Sequence, residues 1–568
     1  MKLTDSLALI LKSAGIGHAF GLQGGAVAHI FDSLEAAGVG VTYMHHEESA
    51  ALAAVAYAKA SNNMGCAIVT TGPGSTNAIT GLLAAWQDSI PCVFISGQVR
   101  SQHTSYGRKV RQVGTQEVNI CDVVKPLTKY AKFIENKSKF VEELVYAISL
   151  ARSGRPGPVW IDLPLDFQWQ DIDFSGSTIK HGPIWKPAFD AANAQRSLEL
   201  LLDSERPLLI LGNGVRLSGC SKALGSFIHK TGIPYVTTWT ASDLYPSEEP
   251  LNLGIIGMSG QRGANHAVFQ ADLLVCLGTH LAIPHTTTLF DGYAPQAKKV
   301  IVNIDQDQLE NLNVGFDVKV CSELADYVDW ISQHPFPRYE WPDAAAIKEQ
   351  NWYTPPPSVK PNSNVFMRAL TKKSPSGTCL IIDGGGTALY AGFQSSVLKF
   401  GDRVICSSAI SAMGTGLAET VGASKGGDFS KMLCVIGDGS FLMNVQDLQT
   451  ISQENINVVI AVVNNNGYLA IRQTQKEFLG ARYHGTHPDW NLTMPSIEKL
   501  AHAFAIPFSR LDRSVDLEEF VDQALGSVGP LICEIVVDED QGVLFRQAYL
   551  ANGDGTFSPQ PLSVMRSW

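Results

Sequence analysis

Short apolar runs rich in β-branched and aromatic residues alternate with helix-like segments along the whole chain. This alternation is typical of α/β units, in which crossover helices join parallel strands. In the first third the predicted strands are GHAFGL, GVTYMHHE, GCAIVTT, PCVFISG and GPVWIDLP. Each run stops at a glycine, a proline or a polar residue, so residues 1–170 are predicted to form one doubly wound domain.

Two more groups of apolar runs predict two more α/β domains, at 190–335 and 362–550, followed by a C-terminal tail at 551–568. The central strands are predicted at PLLILGNG, IPYVTTW, DLLVCLGT and KVIVNID, and the last ones at CLIIDGGG, DRVICSS, MLCVIGDGS, NVVIAVVNNNG and PLICEIVVDED. Proline-rich and aperiodic stretches separate the three groups and predict linkers. The fold class is therefore α/β with three parallel-sheet domains, and the sequence leaves open whether the first and third are copies of one fold.

Composition narrows the class of protein. The 43 Lys and Arg residues stand against 54 Asp and Glu, and a net charge of -11 disfavours nucleic acids and anionic membranes as partners. No uncharged apolar stretch reaches the roughly 18 residues of a membrane span. The ten cysteines form no C-x-x-C pair, which indicates a reducing compartment, and a cytoplasmic location is expected. The N-terminus is predicted to begin a helix capped by Thr4 or Asp5, and not a secretion signal.

The main chemical signal is a pair of polar loops that follow two apolar strands, VIGDGSF and VVNNNGY. The carboxyl ends of parallel strands share one edge of a sheet, where ligands bind, so Asp438 and Asn465 are expected to converge. Magnesium prefers oxygen ligands, which Asp438, Asn465 and the main-chain carbonyl of Gly467 supply. Gly437 and Gly439 allow the backbone to approach phosphate groups at the start of the following helix.

Either loop alone could be an ordinary turn, because GDG and NNNG are common turn sequences. Their pairing after two strands favours a diphosphate and metal site. A nicotinamide dinucleotide site is disfavoured, since the first strand–helix turn lacks G-x-G-x-x-G followed by an acidic residue.

These motifs, together with HHEESAA and TTGPGSTNAITG, resemble those of the thiamine-diphosphate-dependent enzyme family, and most closely its acetolactate-synthase-like branch. Further similar segments run from FGLQGGA through DSIPCVFISGQV and SGRPGPVWIDLPLD, so the resemblance covers nearly the whole chain. It implies pyrimidine-binding, central and diphosphate-binding domains, with thiamine diphosphate and Mg²⁺ as cofactors.

In this family a glutamate promotes the imino form of the cofactor's pyrimidine, and the matching residue is Glu47 in MHHEESAA. Glu48 is the adjacent alternative, although the relatives carry a non-acidic residue there. Either acid could instead be an ordinary residue at a helix N-terminus, where negative charge is favoured.

The resemblance also implies a set of cofactor contacts. Met413 would support the bent cofactor, and the carbonyl of Ser411 would bind its amino group. Asp383 opens DGGGT, which resembles a second diphosphate loop and could also be a flexible turn. The complete set of implied cofactor positions is Pro73, Asn77, Gly385, Gly386, Thr387, Ser411, Met413, Gly437, Asp438, Gly439, Ser440, Asn465, Gly467, Tyr468 and Leu469.

Near the reacting carbon, Gly25 and Ala26 match a GGA turn of the relatives, and Gln116 matches a glutamine that faces the acceptor; it could also be a surface residue. The relatives carry bulky side chains where this chain has Thr115 and Thr474, which implies a wider acceptor pocket. The expected reaction decarboxylates a 2-keto acid such as pyruvate and transfers the acyl-anion equivalent to a carbonyl acceptor. A decarboxylase or oxidase on the same cofactor, and a catalytically silent subunit, remain alternatives.

The family builds each active site between two chains, which implies a homodimer or a homotetramer. In acetolactate synthases the central domain binds a flavin through arginines, and this chain has His280, Ala282 and His285 there. Two expectations therefore stand for the central domain. It binds FAD, or its site is vestigial and empty and both histidines are structural.

Overall fold

The computed structural model describes residues 1–174, 185–352, 354–554 and 556–567. The first predicted linker, 169–187, lies partly outside these ranges, as do position 353 in the second linker and positions 555 and 568 in the tail. None of the helices in the described ranges combines the length and apolarity needed to cross a bilayer.

Parallel strands form three six-stranded sheets, as the alternating pattern predicts. The strands of the first sheet are β1 His18–Gly21, β2 Gly40–Tyr43, β3 Gly65–Val69, β4 Cys92–Gln98, β5 Tyr130–Phe133 and β6 Val159–Pro164. Those of the second are β7 Pro207–Leu211, β8 Tyr235–Thr237, β9 Asn252–Ile255, β10 Leu273–Leu277, β11 Lys298–Asn303 and β12 Val318–Cys321. Those of the third are β13 Thr378–Ile382, β14 Arg403–Ile405, β15 Lys431–Gly437, β16 Val458–Asn464, β17 Phe508–Leu511 and β18 Leu531–Val536. The prediction of three parallel α/β sheets is confirmed.

Helices connect these strands. The first domain contains α1 Leu3–Ser13, α2 Ala28–Ala36, α3 Glu47–Ser61, α4 Pro73–Asn77, α5 Ile79–Gln87, α6 Ile120–Val124, α7 Phe140–Arg152 and α8 Leu165–Gln168. The second contains α9 Ala191–Asp203, α10 Gly214–Leu217, α11 Ser221–Thr231, α12 Arg262–Gln270, α13 Ile283–Thr286, α14 Gln306–Glu310, α15 Leu324–Ser332 and α16 Ala344–Glu349. The third contains α17 Ser363–Lys373, α18 Gly386–Ser395, α19 Gly416–Gly426, α20 Asp438–Met443, α21 Asp447–Gln453, α22 Leu469–Phe478, α23 Ile497–Ala503 and α24 Leu517–Leu525.

Strand order relates the first and third sheets. The first runs β2-β1-β3-β4-β6-β5 and the third β14-β13-β15-β16-β18-β17, which is the same order within each domain. The second sheet, β12-β11-β10-β7-β8-β9, has the order of dinucleotide-binding folds. Two antiparallel pairs follow at the C-terminus: β19 Phe545–Gln547 with β22 Met565–Ser567, and β20 Tyr549–Ala551 with β21 Phe557–Pro559.

The first and third domains pack through α3 and α19. Small residues let the two helix backbones approach closely, since a Cβ on Gly422 would lie 2.0 Å from the Ala53 carbonyl oxygen. Apolar residues of both domains form one continuous buried cluster around this contact. The contact places Glu47, the first residue of α3, at the boundary between the two domains.

The predicted cap of the first helix was wrong. Helix α1 begins at Leu3, so Thr4 and Asp5 lie inside its first turn, and Lys2 precedes it without a side-chain cap. Thr4 is buried and donates to the carbonyl of Gln168, which explains why it serves a tertiary contact and not a cap. All ten cysteines are free thiols, and all but Cys321 are buried.

Candidate active site

The two polar loops of the third domain meet as the spacing predicts. Strands β15 and β16 are parallel neighbours, with Gly437 paired to Val463, so the residues that follow them lie side by side. Asp438 and Asn465 are both buried. The edge of the sheet therefore presents a carboxylate and an amide in one closed place.

Asp438 links the two loops through its carboxylate. Its Oδ1 accepts a hydrogen bond from the Gly439 N–H at 2.8 Å, and its Oδ2 accepts one from the Gly467 N–H at 2.9 Å. Burial raises the pKa of Asp438 to about 6, while these backbone hydrogen bonds act in the opposite direction. A buried carboxylate of this kind is suited to a cation, which would compensate its charge.

Asn465 is fixed with its amide oxygen left available. Its Nδ2 donates to Thr387 Oγ1 at 2.9 Å, whereas Oδ1 is buried and receives no hydrogen bond within the described residues. Gly467 adopts φ +132°, and a Cβ there would lie 2.5 Å from the Thr486 carbonyl oxygen. An unsatisfied buried oxygen beside a carboxylate fits a hard divalent cation, and the residues present therefore fit Mg²⁺.

The second predicted phosphate loop lies against this pair. Asp383 is fully buried and accepts hydrogen bonds from the N–H groups of Gly385 at 2.8 Å and Gly416 at 3.1 Å. A Cβ on Gly385 would lie 2.4 Å from Ser440 Oγ, so the glycine is required for the close approach of the two loops. Gly386 begins α18, whose N-terminus faces the same region. The structure thus brings this loop together with the loops that carry Asp438 and Asn465.

Arg472 is a residue of the site that the sequence analysis missed. Its guanidinium is buried and donates to the carbonyls of Asn465 at 2.8 Å, Asn466 at 3.1 Å and Thr486 at 3.1 Å. It thereby fixes the main chain of the loop that carries Asn465. Nothing in the local sequence distinguishes it from a surface arginine of an amphipathic helix.

Other implied contacts also lie at this edge. A Cβ on Gly439 would lie 2.2 Å from the ring of Tyr468, and Leu469 lines a cavity together with Gly386 and Thr387. The loop at 411–413 runs beside the start of DGGGT, because a Cβ on Gly384 would lie 2.3 Å from the carbonyl oxygen of residue 412. Ser411 has φ +44°, and Met413 is half-buried.

Glu47 belongs to a second group, in the first domain. Its side chain is buried, and its Oε2 accepts a hydrogen bond from Asn77 Nδ2 at 3.0 Å. A Cβ on Gly74, one residue after Pro73, would lie 3.3 Å from Glu47 Oε1. Glu48 points elsewhere: its carboxylate is 29% exposed and lies 4.0 Å from His46 Nδ1. Only Glu47 therefore joins the GPGSTN loop.

The predicted acceptor residues adjoin that loop. Gln116 has φ +62°, and its carbonyl oxygen accepts a hydrogen bond from Thr71 Oγ1 at 3.3 Å. The side chain of Gln116 is exposed. Gly25 is exposed, and a Cβ added to it would meet nothing within 4 Å, while Ala26 is buried and its carbonyl accepts from Gln168 Nε2 at 2.7 Å.

Comparison with known proteins decides the family. The description "Thiamine pyrophosphate enzyme" matches in three parts: an N-terminal TPP binding domain at 1–123, a central domain at 194–330 and a C-terminal TPP binding domain at 384–535. The chain belongs to the thiamine pyrophosphate enzyme family. The resemblance stated from its motifs is confirmed.

Relatives within this thiamine pyrophosphate enzyme family match the chain over almost its full length. The acetolactate synthase isozyme 2 large subunit of Escherichia coli (strain K12) is 30% identical over 94% of this chain and 95% of its own. Acetolactate synthase 1, chloroplastic, of Zea mays is 30% identical over 96% of this chain and 86% of its own. A probable acetolactate synthase large subunit of Methanocaldococcus jannaschii is 28% identical over 95% and 92%.

Glu47 and the Asp438–Asn465 pair of this thiamine pyrophosphate enzyme belong to different domains of the chain. In the described residues no hydrogen bond joins Glu47 to Asp438 or Asn465, and the contacts of Glu47 given above are all with the first domain. Asp438, Asn465 and the loop at 383–387 all lie in the third domain.

The central domain offers little for a flavin. The loops at its strand-order reversal pack on each other, since the Gly214 N–H donates to the Gly278 carbonyl at 2.9 Å. Burial lowers the pKa of His280 to about 4 and that of His285 to about 3, so both are neutral and give no charge for a diphosphate. Both ring nitrogens of His285 are buried without partners among the described residues, which differs from a satisfied structural histidine. Two neutral histidines therefore stand where the resemblance implies arginines.

Proposed function

We propose that this protein is a thiamine-diphosphate-dependent carboligase that decarboxylates a 2-keto acid, with pyruvate as the donor, and transfers the acyl-anion equivalent to a carbonyl acceptor. The observation that carries the proposal is the buried pair of Asp438 and Asn465, with one amide oxygen left unsatisfied, in a chain whose relatives are named acetolactate synthases.

Residues of the third domain would hold the diphosphate and Mg²⁺. Asp438, Asn465 and the carbonyl of Gly467 are the proposed ligands of the cation. The remaining proposed contacts to the cofactor tail and ring are Gly385, Gly386, Thr387, Ser411, Met413, Gly437, Gly439, Ser440, Tyr468 and Leu469. When bound, thiamine diphosphate supplies a carbanion and an electron sink for decarboxylation.

Glu47 is the proposed residue that exchanges a proton with the aminopyrimidine. Asn77 occupies its Oε2 through a hydrogen bond at 3.0 Å, which orients the carboxylate. Oε1 receives no hydrogen bond within the described residues and is the oxygen that would carry the proton. Burial of the side chain excludes water, which would otherwise compete for that proton.

A homodimer is the smallest assembly that completes the site, and a homotetramer is compatible with it. This part of the proposal is supported by the placement of Glu47 and the Asp438–Asn465 pair in different domains, with no hydrogen bond between them in the described residues. Glu47, Pro73 and Asn77 of one subunit would meet the Asp438 loop of its partner. A cytoplasmic location is proposed on the ten free thiols, and the proposal includes no nucleic acid and no membrane partner.

The acceptor is proposed to be larger than a second pyruvate. Thr115 and Thr474 are both exposed and short where the resemblance implies bulky walls. Gln116 is proposed to contact the acceptor, and Gly25 and Ala26 to lie near the reacting carbon. The main chain of Gln116 lies against the Gly72–Pro73 turn, since a Cβ on Gly72 would lie 2.2 Å from the Gln116 carbonyl oxygen. This contact with a proposed cofactor loop supports the role of Gln116.

Product analysis with purified enzyme tests the proposal. Pyruvate, Mg²⁺ and thiamine diphosphate are supplied with a panel of keto-acid, aldehyde and keto-sugar-nucleotide acceptors, and products are measured by mass spectrometry. Cofactor-dependent ligation products, absent with Asp438→Ala, are expected. Acetaldehyde or acetate as the main product with every acceptor, or no thiamine diphosphate binding, would overturn it.

A further inference from the structure

Lys59, near the C-terminal end of the helix that Glu47 begins, is buried between the first and third domains. Its side chain is 5% exposed, and its ammonium donates to Asp88 Oδ2 at 2.8 Å and to the Cys406 carbonyl at 2.7 Å. Burial disfavours the charged form, but the carboxylates of Asp88 and Glu419 more than offset this and raise the pKa of Lys59. A permanent positive charge is therefore enclosed at this boundary.

The side chains of Glu419 and Asp88 also bind residues 407–409, which follow Cys406. Glu419 Oε1 accepts from Ser407 Oγ at 2.6 Å, and Asp88 Oδ1 accepts from Ser408 Oγ at 3.2 Å and from the Ala409 N–H at 3.3 Å. Four consecutive residues, 406–409, are thus each bound by one of three buried titratable side chains, those of Lys59, Glu419 and Asp88. Ordinary loop–loop packing would not require this concentration of charge.

The anchored residues lead directly into the proposed cofactor loop. The Ser411 N–H donates to the Ser407 carbonyl at 2.9 Å, and Ser411 Oγ donates to the Ser408 carbonyl at 3.0 Å. Ser411 also has φ +44°, a conformation that costs energy in a non-glycine residue and persists only when its surroundings impose it. The ionic anchor supplies that constraint two residues before Met413.

Lys59 is in turn fixed through its main chain. Its carbonyl oxygen accepts hydrogen bonds from Arg403 Nε at 3.0 Å and Nη2 at 2.9 Å, and Arg403 Nη1 donates to Asp243 at 2.7 Å. Asp243 also pairs with Arg216 of the central domain. All three domains therefore meet at this residue, which gives its ammonium a defined position.

We infer that Lys59 is a positioning residue, whose contacts with Asp88 and with the segment 406–409 set the conformation of the loop that carries Ser411 and Met413. The cofactor-binding roles of Ser411 and Met413 rest on the proposed function. The dependence of the loop conformation on Lys59 is independent of that proposal. Loss of the ammonium would free the loop while leaving the Asp438 and Asn465 site intact.

Lys59→Met is the test, with Lys431→Met as a matched control. Lys431 is also buried, and its ammonium donates to Asn457 Oδ1 at 3.0 Å and to the Ser527 carbonyl at 2.7 Å, but it lies at the opposite end of β15 from the site. Lys59→Arg tests rescue by a retained charge. Lys59→Met combined with Asp88→Asn removes an unpaired carboxylate and restores folding if the single variant is unstable.

Hydrogen–deuterium exchange on the cofactor-free proteins is the first readout. Faster amide exchange at 406–413 is expected in Lys59→Met and in the double variant, but not in Lys431→Met. Equal exchange in all of them would overturn the inference, whatever the enzyme's activity.

Kinetics and cofactor titration are the second readout. Lys59→Met should bind thiamine diphosphate with Mg²⁺ within about threefold of wild type, yet lose about 10²-fold in kcat, as expected when a positioned group is misplaced. Lys59→Arg should recover part of that loss. A kcat that falls only with the folded fraction would contradict the inference, whereas failure of the wild type to bind the cofactor would contradict the proposed function instead.

Discussion

Because the carboxyl group of Asp447 is buried, we expect the free energy of unfolding to depend on pH. The side chain begins α21, is fully buried and faces the first turn of α3. Burial raises its pKa from 3.8 to about 7, and the nearby charge of Glu48 adds to the rise. The folded state therefore binds this proton more tightly than the unfolded chain does.

The sign and size of the effect follow from that difference. A raised carboxyl pKa stabilises the folded state at low pH, and this contribution is lost as the pH rises through about 7. Each pH unit between the two pKa values corresponds to about 1.4 kcal/mol. Raising the pH from about 5 to about 8 should thus remove about 3 kcal/mol from the free energy of unfolding.

Asp447→Asn tests this directly, because the amide cannot ionise. Urea unfolding of the cofactor-free protein, followed by tryptophan fluorescence, is compared for wild type, Asp447→Asn and the exposed control Asp512→Asn. Between about pH 5 and about pH 8 the free energy of unfolding should fall by about 3 kcal/mol more in wild type than in Asp447→Asn. Asp512→Asn should show the same pH dependence as wild type. Parallel curves for Asp447→Asn and wild type would refute the reasoning.

Two further predictions concern α3. Glu47→Gln should bind thiamine diphosphate nearly as well as wild type, but proton exchange at the C2 carbon of the bound cofactor, measured by NMR, should slow by about 10²–10⁴-fold. In Glu48→Gln the exchange rate should match wild type. Equal rates in the two variants would contradict the assignment of Glu47. Gly422→Ala should lower the free energy of unfolding by about 1–3 kcal/mol, since its Cβ would lie 2.0 Å from the Ala53 carbonyl oxygen, while Gly315→Ala, with nothing within 4 Å, should not. A Gly422→Ala protein as stable as the Gly315→Ala protein would show that the helices can separate freely.

The sequence predicted every central strand of the three large sheets but only two of their six edge strands, β2 and β14. The runs read as strands all appear, but in the three large sheets β5, β9, β12 and β17 were not predicted, and each of them is an edge strand. An edge strand has one neighbour and is only partly covered, as the burial of β5 and β17 shows. Such a strand needs no continuous apolar run, so its pattern resembles that of a loop.

The site was predictable where chemistry follows directly from a strand end. Asp438 and Asn465 could be placed because neighbouring parallel strands end at one edge. Arg472 and Lys59 could not, since their function depends on backbone carbonyls that are brought to them by tertiary packing. In the sequence each is one more basic residue on a helix.

Mixing two inactive variants tests the central claim, that each active site combines Glu47 of one subunit with Asp438 of its partner. Glu47→Gln and Asp438→Ala subunits are co-expressed with different tags, and ligation activity is measured for the mixed assembly isolated through both tags and for each parent alone. The mixed dimer should recover about half of wild-type activity, because one of its two symmetry-related sites is intact. Mixed assemblies as inactive as either parent would contradict a site shared between two chains.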